Sequence, residues 1–207
     1  MFIKKRCKVT FVLHGSTIYT DENRVYETGE YPPLDENGKE EIEKLTLWLK
    51  QRSPKTDKLY TAPTLRSIQS AAIISKAYNQ PFEILDALTP KNEGTWAGWT
   101  FKEIEVKFTQ MLDDYHKESV NFKAGDGESI KEFNKRVYKI IKNIVKHDFG
   151  KRIIIVGDAN FIRAAISQTF ELPERHQNKI ALNTGSATQI NFFESWAILV
   201  YSNYIPL

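Results

Sequence analysis

Two short apolar runs constrain this chain more than anything else in it. Residues 9–13 read Val-Thr-Phe-Val-Leu and residues 153–156 read Ile-Ile-Ile-Val. Both are rich in β-branched residues and short. Each reads as a strand covered on both faces, as in a parallel sheet. Each also ends in polar residues: His14-Gly15-Ser16-Thr17 after the first, Gly157-Asp158-Ala159-Asn160 after the second. In open α/β sheets the carboxyl ends of the strands are where ligands bind.

The rest of the chain alternates in the same way. Residues 39–51 place Ile42, Leu45, Trp48 and Leu49 at helical spacing, and Ser53-Pro54 breaks the pattern. A strand follows at 58–61, then a helix at 65–78 with Ile68, Ala71, Ala72 and Ile74 along one side. Residues 82–85 read as a third strand, 88–100 as irregular, 101–115 as a helix and 118–127 as a loop. Ser129 caps a long amphipathic helix to about residue 147, with Phe133, Val137, Ile140, Ile141 and Ile144 inward. A helix at 161–170 comes after the second apolar run. Residues 188–193 and 196–201 read as two last strands, joined as a hairpin through Glu194-Ser195. Residues 20–37, with Gly29 and Pro32-Pro33, read as a long loop over one end of the sheet, a common location of function. Strands alternating with helices predict an α/β fold, a three-layer αβα sandwich with a mostly parallel central sheet.

Composition narrows the function classes. A length of 207 residues fits one domain, with 89–127 expected as a cap or lid inserted over the pocket. Hydrophobic residues at 41% exclude a disordered chain. A net charge of +3, with Lys and Arg dispersed, argues against nucleic acid as a partner. Lys4-Lys5-Arg6 with Lys8 reads as a solvated lead-in to the first strand. The single cysteine, Cys7, excludes an internal disulfide and a cysteine-based zinc site, and suits a cytoplasmic protein. No segment approaches the ~20 apolar residues that span a membrane. His14, His116, His147 and His176 are not spaced as a metal pair on one helix face. No metal and no cofactor are expected.

At the first tip, Gly15 lets the backbone turn and a ligand approach closely. Ser16 and Thr17 can donate hydrogen bonds to an anion or cap the next element of the chain. His14 alone also reads as an ordinary turn residue. Four further segments bear on that choice. Leu13-His14-Gly15, with Thr17 two residues on, resembles the Arg-His-Gly-x-Thr signature of the histidine phosphatases, the phosphoglycerate-mutase-like superfamily. Ala62-Pro63-Thr64-Leu65-Arg66 resembles that family's Ser-Pro-Leu-x-Arg, and Gly94-Thr95-Trp96-Ala97-Gly98 its Gly-x-Trp-Glu-Gly turn. Gly127-Glu128-Ser129 matches its Gly-Glu-Ser, and Val156-Gly157-Asp158-Ala159 lies where the family has Val-Ser-His-Gly.

The resemblance implies a chemistry. The first histidine, here His14, is a nucleophile that becomes phosphorylated, and the second arginine, here Arg66, holds phosphoryl oxygens. Converging positive donors stabilise the anionic transition state. The match is incomplete. Leu13 replaces the first arginine, Asp158 replaces the second histidine, and the usual acid falls on Pro90, with Glu93 nearby as a substitute. Losing an arginine–phosphate hydrogen bond forfeits roughly 1.5–3 kcal/mol. A carboxylate ~4 Å from a phosphoryl charge adds about 4 kcal/mol of repulsion at an effective dielectric of 20. Little phosphomonoesterase activity is therefore expected.

Three readings compete: a ligand-binding module, an enzyme repurposed around a His14–Asp158 acid/base pair, and a slow phosphatase in which Arg66 binds phosphate. The candidate catalytic residues are His14, Asp158 and Glu93, with Glu128 a further proton carrier or a structural acid beside Ser129. The candidate ligand contacts are Arg66, Gly15, Thr17, Arg24, Trp96 and Asn160. Arg163 is an alternative partner for Asp158. The expected ligand is a small molecule at the strand carboxyl edge of a monomer or homodimer.

Overall fold

Six strands form a single sheet, in the order β3-β2-β4-β1-β5-β6. The structure is a computed structural model and describes residues 5–26 and 32–206. Lys4, and residues 27–31 of the expected loop with Gly29 among them, lie outside the described residues. The strands are β1 (Cys7–Leu13), β2 (Lys58–Thr61), β3 (Glu83–Ile84), β4 (Arg152–Gly157), β5 (Ala187–Phe192) and β6 (Ala197–Tyr204). β1, β2, β3 and β4 pair in parallel, and β5 and β6 run antiparallel at one side. The helices are α1 (Ile18–Asp21), α2 (Glu36–Arg52), α3 (Leu65–Tyr78), α4 (Phe101–Lys107), α5 (Thr109–Lys117), α6 (Ile130–His147) and α7 (Ala159–Thr169).

The sheet is covered on both faces because its central strands are apolar on both. Val9, Phe11 and Leu13 of β1 and Ile153 and Ile155 of β4 pack against Phe133, Val137, Ile141 and Ile144 of α6 and against Phe161 and Ile162 of α7. The alternate residues, Val12, Ile154 and Val156, pack with Ile42, Leu45 and Leu49 of α2 and Ala71 and Ile74 of α3. Full burial of such side chains contributes about 1.5–3 kcal/mol each. The result is the expected αβα sandwich.

Local signals set the helix boundaries. Asp35 caps α2 by accepting from the Gly38 N–H at 2.6 Å, so the helix begins before the periodic apolar residues. Ser129 and Glu132 form a reciprocal capping box at α6. Thr17 and Thr20 form another, which creates the short α1 just ahead of and into the start of the expected loop. The expected helix over 101–115 is two helices that meet at Phe108, whose ring packs edge-on against Trp99.

Candidate active site

The carboxyl ends of β1, β4 and β2, three neighbouring strands, bring together His14, Asp158 and Arg66. His14 follows β1 directly, and Asp158 follows β4 directly. Arg66 lies in the first turn of α3, after the Ala62-Pro63-Thr64 connection from β2. All three residues are buried, His14 at 2%, Asp158 at 7% and Arg66 at 0% exposure.

Arg66 and Asp158 form a buried ion pair. Arg66 Nη2 donates to Asp158 Oδ1 at 2.6 Å and Nε donates to the same oxygen at 3.1 Å. His14 Nε2 lies 3.5 Å from that oxygen. The other atoms of the pair, Arg66 Nη1 and Asp158 Oδ2, are buried without a hydrogen-bond partner among the described residues. Burial alone would push the Asp158 carboxyl up. The Arg66 guanidinium, and after it His14, hold it instead well below the usual carboxylate range. Asp158 also occupies the N-cap of α7, yet its side chain makes no capping bond. The carboxylate has turned from the helix to the guanidinium.

The loop after His14 is braced from several sides. His14 Nδ1 is 2.8 Å from the Gly15 carbonyl oxygen, so Nε2 is the ring nitrogen turned toward Asp158. The Gly15 N–H donates to Ser70 Oγ, the Ser16 N–H to Glu41 Oε2 at 2.9 Å, and the Ser16 hydroxyl to Asp35 Oδ1 at 2.7 Å. A Cβ on Gly15 would run into the backbone carbonyl of Gly38. At this position glycine admits the first turn of α2, a close backbone approach. Thr17 caps α1, and its Oγ1 is 2.7 Å from the Tyr26 hydroxyl.

Tyr26 lies over this cluster. Its ring centroid is 4.2 Å from the Arg66 guanidinium carbon and 5.3 Å from the His14 ring centroid, which it meets edge-on. Sequence reasoning missed Tyr26 and Glu41, and gave Ser70, where Ser70-Ala71 stands in place of the family's Thr-Ala, no role in the site. Tyr26 carries no periodic signal, since it sits in a polar loop, and Glu41 reads as an ordinary helix residue.

The other candidates lie around this centre. Glu93 accepts from Lys91 Nζ at 2.6 Å and from Asn160 Nδ2 at 2.8 Å, so both its oxygens are engaged. Arg24 binds Glu22 at 2.6 Å and the Gly98 carbonyl. Trp96 packs on Tyr115 and Phe122. Arg163 donates to the Ile180 carbonyl and to Asn160 Oδ1, so Asp158 pairs with Arg66 rather than with Arg163. Glu128 accepts twice from Arg136 and once from the Asn92 N–H, tying α6 to the 89–93 turn. Leu13 belongs to the apolar cluster beneath α6 and α7. Among the described residues no group of three or more His, Cys, Asp or Glu is placed to hold a metal, and no helix is long and apolar enough to cross a membrane.

Comparison with known proteins agrees with this architecture. Residues 9–204 match the Histidine phosphatase superfamily (branch 1). The 2,3-bisphosphoglycerate-dependent phosphoglycerate mutase of Wigglesworthia glossinidia brevipalpis is 26% identical over 86% of this chain and 89% of its own length. Phosphoserine phosphatase 1 of Hydrogenobacter thermophilus is 23% identical over 76% of this chain and 73% of its own. The solved structure of Bacillus stearothermophilus YhfR shares the fold with a TM-score of 0.87 at 19% identity, covering 96% of this chain and 98% of that one. With a match over nearly its whole length and a sheet that converges His14 and Arg66 at one edge, this chain belongs to the histidine phosphatase superfamily.

Proposed function

We propose that this chain has given up ordinary phosphomonoesterase and mutase turnover and uses its site to bind a small molecule that carries no phosphate. One observation carries the reading: the Arg66–Asp158 pair, closed at 2.6 Å beside His14. The guanidinium that would receive a phosphoryl group is already neutralised from within. A phosphate must break that pair or sit beside its carboxylate, where repulsion of about 4 kcal/mol at ~4 Å applies. That alone is about three powers of ten in affinity.

The same pair weakens the two catalytic alternatives. A His14–Asp158 base needs a carboxylate free to orient the ring, but the oxygen facing His14 already accepts both Arg66 bonds. A slow phosphatase working through protonated Asp158 needs an accessible carboxyl pKa, and Arg66 depresses it. What favours the phosphatase reading is the orientation of His14, with Nδ1 toward the Gly15 carbonyl and Nε2 turned toward Asp158 in the site. Segment 89–127 is proposed as the cap. Its Gly98–Trp99 portion bonds Val25 next to Tyr26, and Glu93 reaches Asn160 at the start of α7.

Hydrolysis of p-nitrophenyl phosphate across pH 4 to 9, with inorganic phosphate titrated by calorimetry, tests the reading. The wild type is expected to show no turnover, and Asp158→Asn to bind phosphate about 100-fold or more tighter by freeing Arg66. Wild-type turnover at enzyme-like rates that His14→Ala abolishes would overturn it.

A further inference from the structure

We propose that Tyr26 is the gate of this site, the side chain an incoming ligand must displace to reach His14 and Arg66. The ring is placed for it. It lies 4.2 Å from the guanidinium carbon of Arg66 on one side and meets the His14 ring edge-on at 5.3 Å. Beneath it His14 is 2% and Arg66 0% exposed, so neither is open to a ligand while the ring is in place.

The latch that holds the ring lies at the start of α1, beside the His14–Arg66 pair it covers. The Tyr26 hydroxyl is 2.7 Å from Thr17 Oγ1 and 3.0 Å from Thr20 Oγ1, the two side chains of the α1 capping box. Tyr19 of α1 packs against the same ring at 5.6 Å. The contact with Arg66 is of a kind that can be exchanged. A guanidinium prefers a flat π face or a polar acceptor to an empty cavity. A ligand that supplies either replaces the ring without leaving Arg66 bare. Arg66 Nη1 and Asp158 Oδ2 lie buried below, without a hydrogen-bond partner among the described residues, the remaining hydrogen-bonding capacity that such a ligand meets. The gate therefore screens ligands by how well they substitute for a phenol over Arg66. This holds whether or not the ligand carries phosphate, so it stands apart from the repulsion between Asp158 and a phosphoryl group.

Covalent modification of histidine by diethylpyrocarbonate, mapped by peptide mass spectrometry on the intact protein, tests the gate. The exposed His116 and His147 serve as internal standards. In the wild type His14 is expected to react far more slowly than either. A closed site open about 0.1–10% of the time predicts that Tyr26→Ala speeds His14 modification about 10- to 1,000-fold, with His116 and His147 unchanged. Tyr26→Phe keeps the ring but loses both latch bonds, and falls between the two. Circular dichroism melts establish that each variant is folded. If Tyr26→Ala does not fold, Tyr26→Phe decides: faster His14 modification supports the gate, and wild-type protection overturns it. Wild-type His14 reacting as fast as His147, or a folded Tyr26→Ala that leaves His14 protected, also overturns it.

Discussion

An aspartate at a helix N-cap ordinarily accepts from the first free amides and stabilises the helix by about 1 kcal/mol. Asp158 forgoes that bond and meets Arg66 instead, across 92 residues of sequence. The pair is buried, and removing one partner of such a pair leaves an uncompensated charge at a cost of about 3–5 kcal/mol. Replacing both by apolar residues removes that cost. Arg66→Met is thus expected to lower the urea-unfolding free energy by about 3–5 kcal/mol, and Arg66→Met with Asp158→Leu by clearly less. A double variant as unstable as the sum of the two single changes would mean that the side chains do not act as a pair. At this scale the sequence was half informative. His14, Arg66 and Asp158 were each marked by position at a strand end or by motif. Which arginine Asp158 would meet was not, since Arg163 was nearer in sequence. Asn160 and the Ile180 carbonyl hold Arg163, and that leaves Asp158 to Arg66.

Gly38 shows a conflict between local propensity and packing at the scale of the element. It lies inside α2, where exchange of glycine for alanine ordinarily gains about 1 kcal/mol. A Cβ there would strike the backbone of Gly15 and Ser16, in the loop that carries His14. Neither side can yield cheaply, because both are backbone. Gly38→Ala is therefore expected to destabilise the protein by about 1–3 kcal/mol, read from the midpoint of urea unfolding. A gain in stability would show that the loop after β1 has room to move. The same element scale explains where helix prediction slipped. The Thr17–Thr20 capping box and the break at Phe108 are local hydrogen-bond and packing events. Apolar periodicity registers neither.

For the whole molecule, the pair makes stability depend on pH in one direction. The Asp158 carboxyl is depressed in the folded state, while its unfolded value is about 3.9. Its contribution is complete above that value. It is lost as the pH falls from there toward the folded pKa, because the unfolded chain takes up a proton that the folded chain refuses. Between pH 4 and 2.5 the wild type is expected to lose stability more steeply than Asp158→Asn, by up to about 1.4 kcal/mol per pH unit. Parallel urea midpoints for the two proteins over that range would count against the ion pair. What the sequence by itself determined was the alternation of buried strands and amphipathic helices, hence the αβα sandwich. It also determined the edge at which His14, Arg66 and Asp158 gather. The sandwich, with His14 and Asp158 at its edge, follows from hydrophobic periodicity and strand-end chemistry, which are properties of neighbours along the chain; Arg66 joins them through the resemblance of residues 62–66 to the family motif. Only the tertiary structure decided that Asp158 closes on Arg66, that Tyr26 covers them, and that Glu93 is tied to Lys91 and Asn160. Those are contacts between side chains delivered by different elements, and their partners are chosen by the packing of α3, α7 and the loop after β1 rather than by spacing in the sequence.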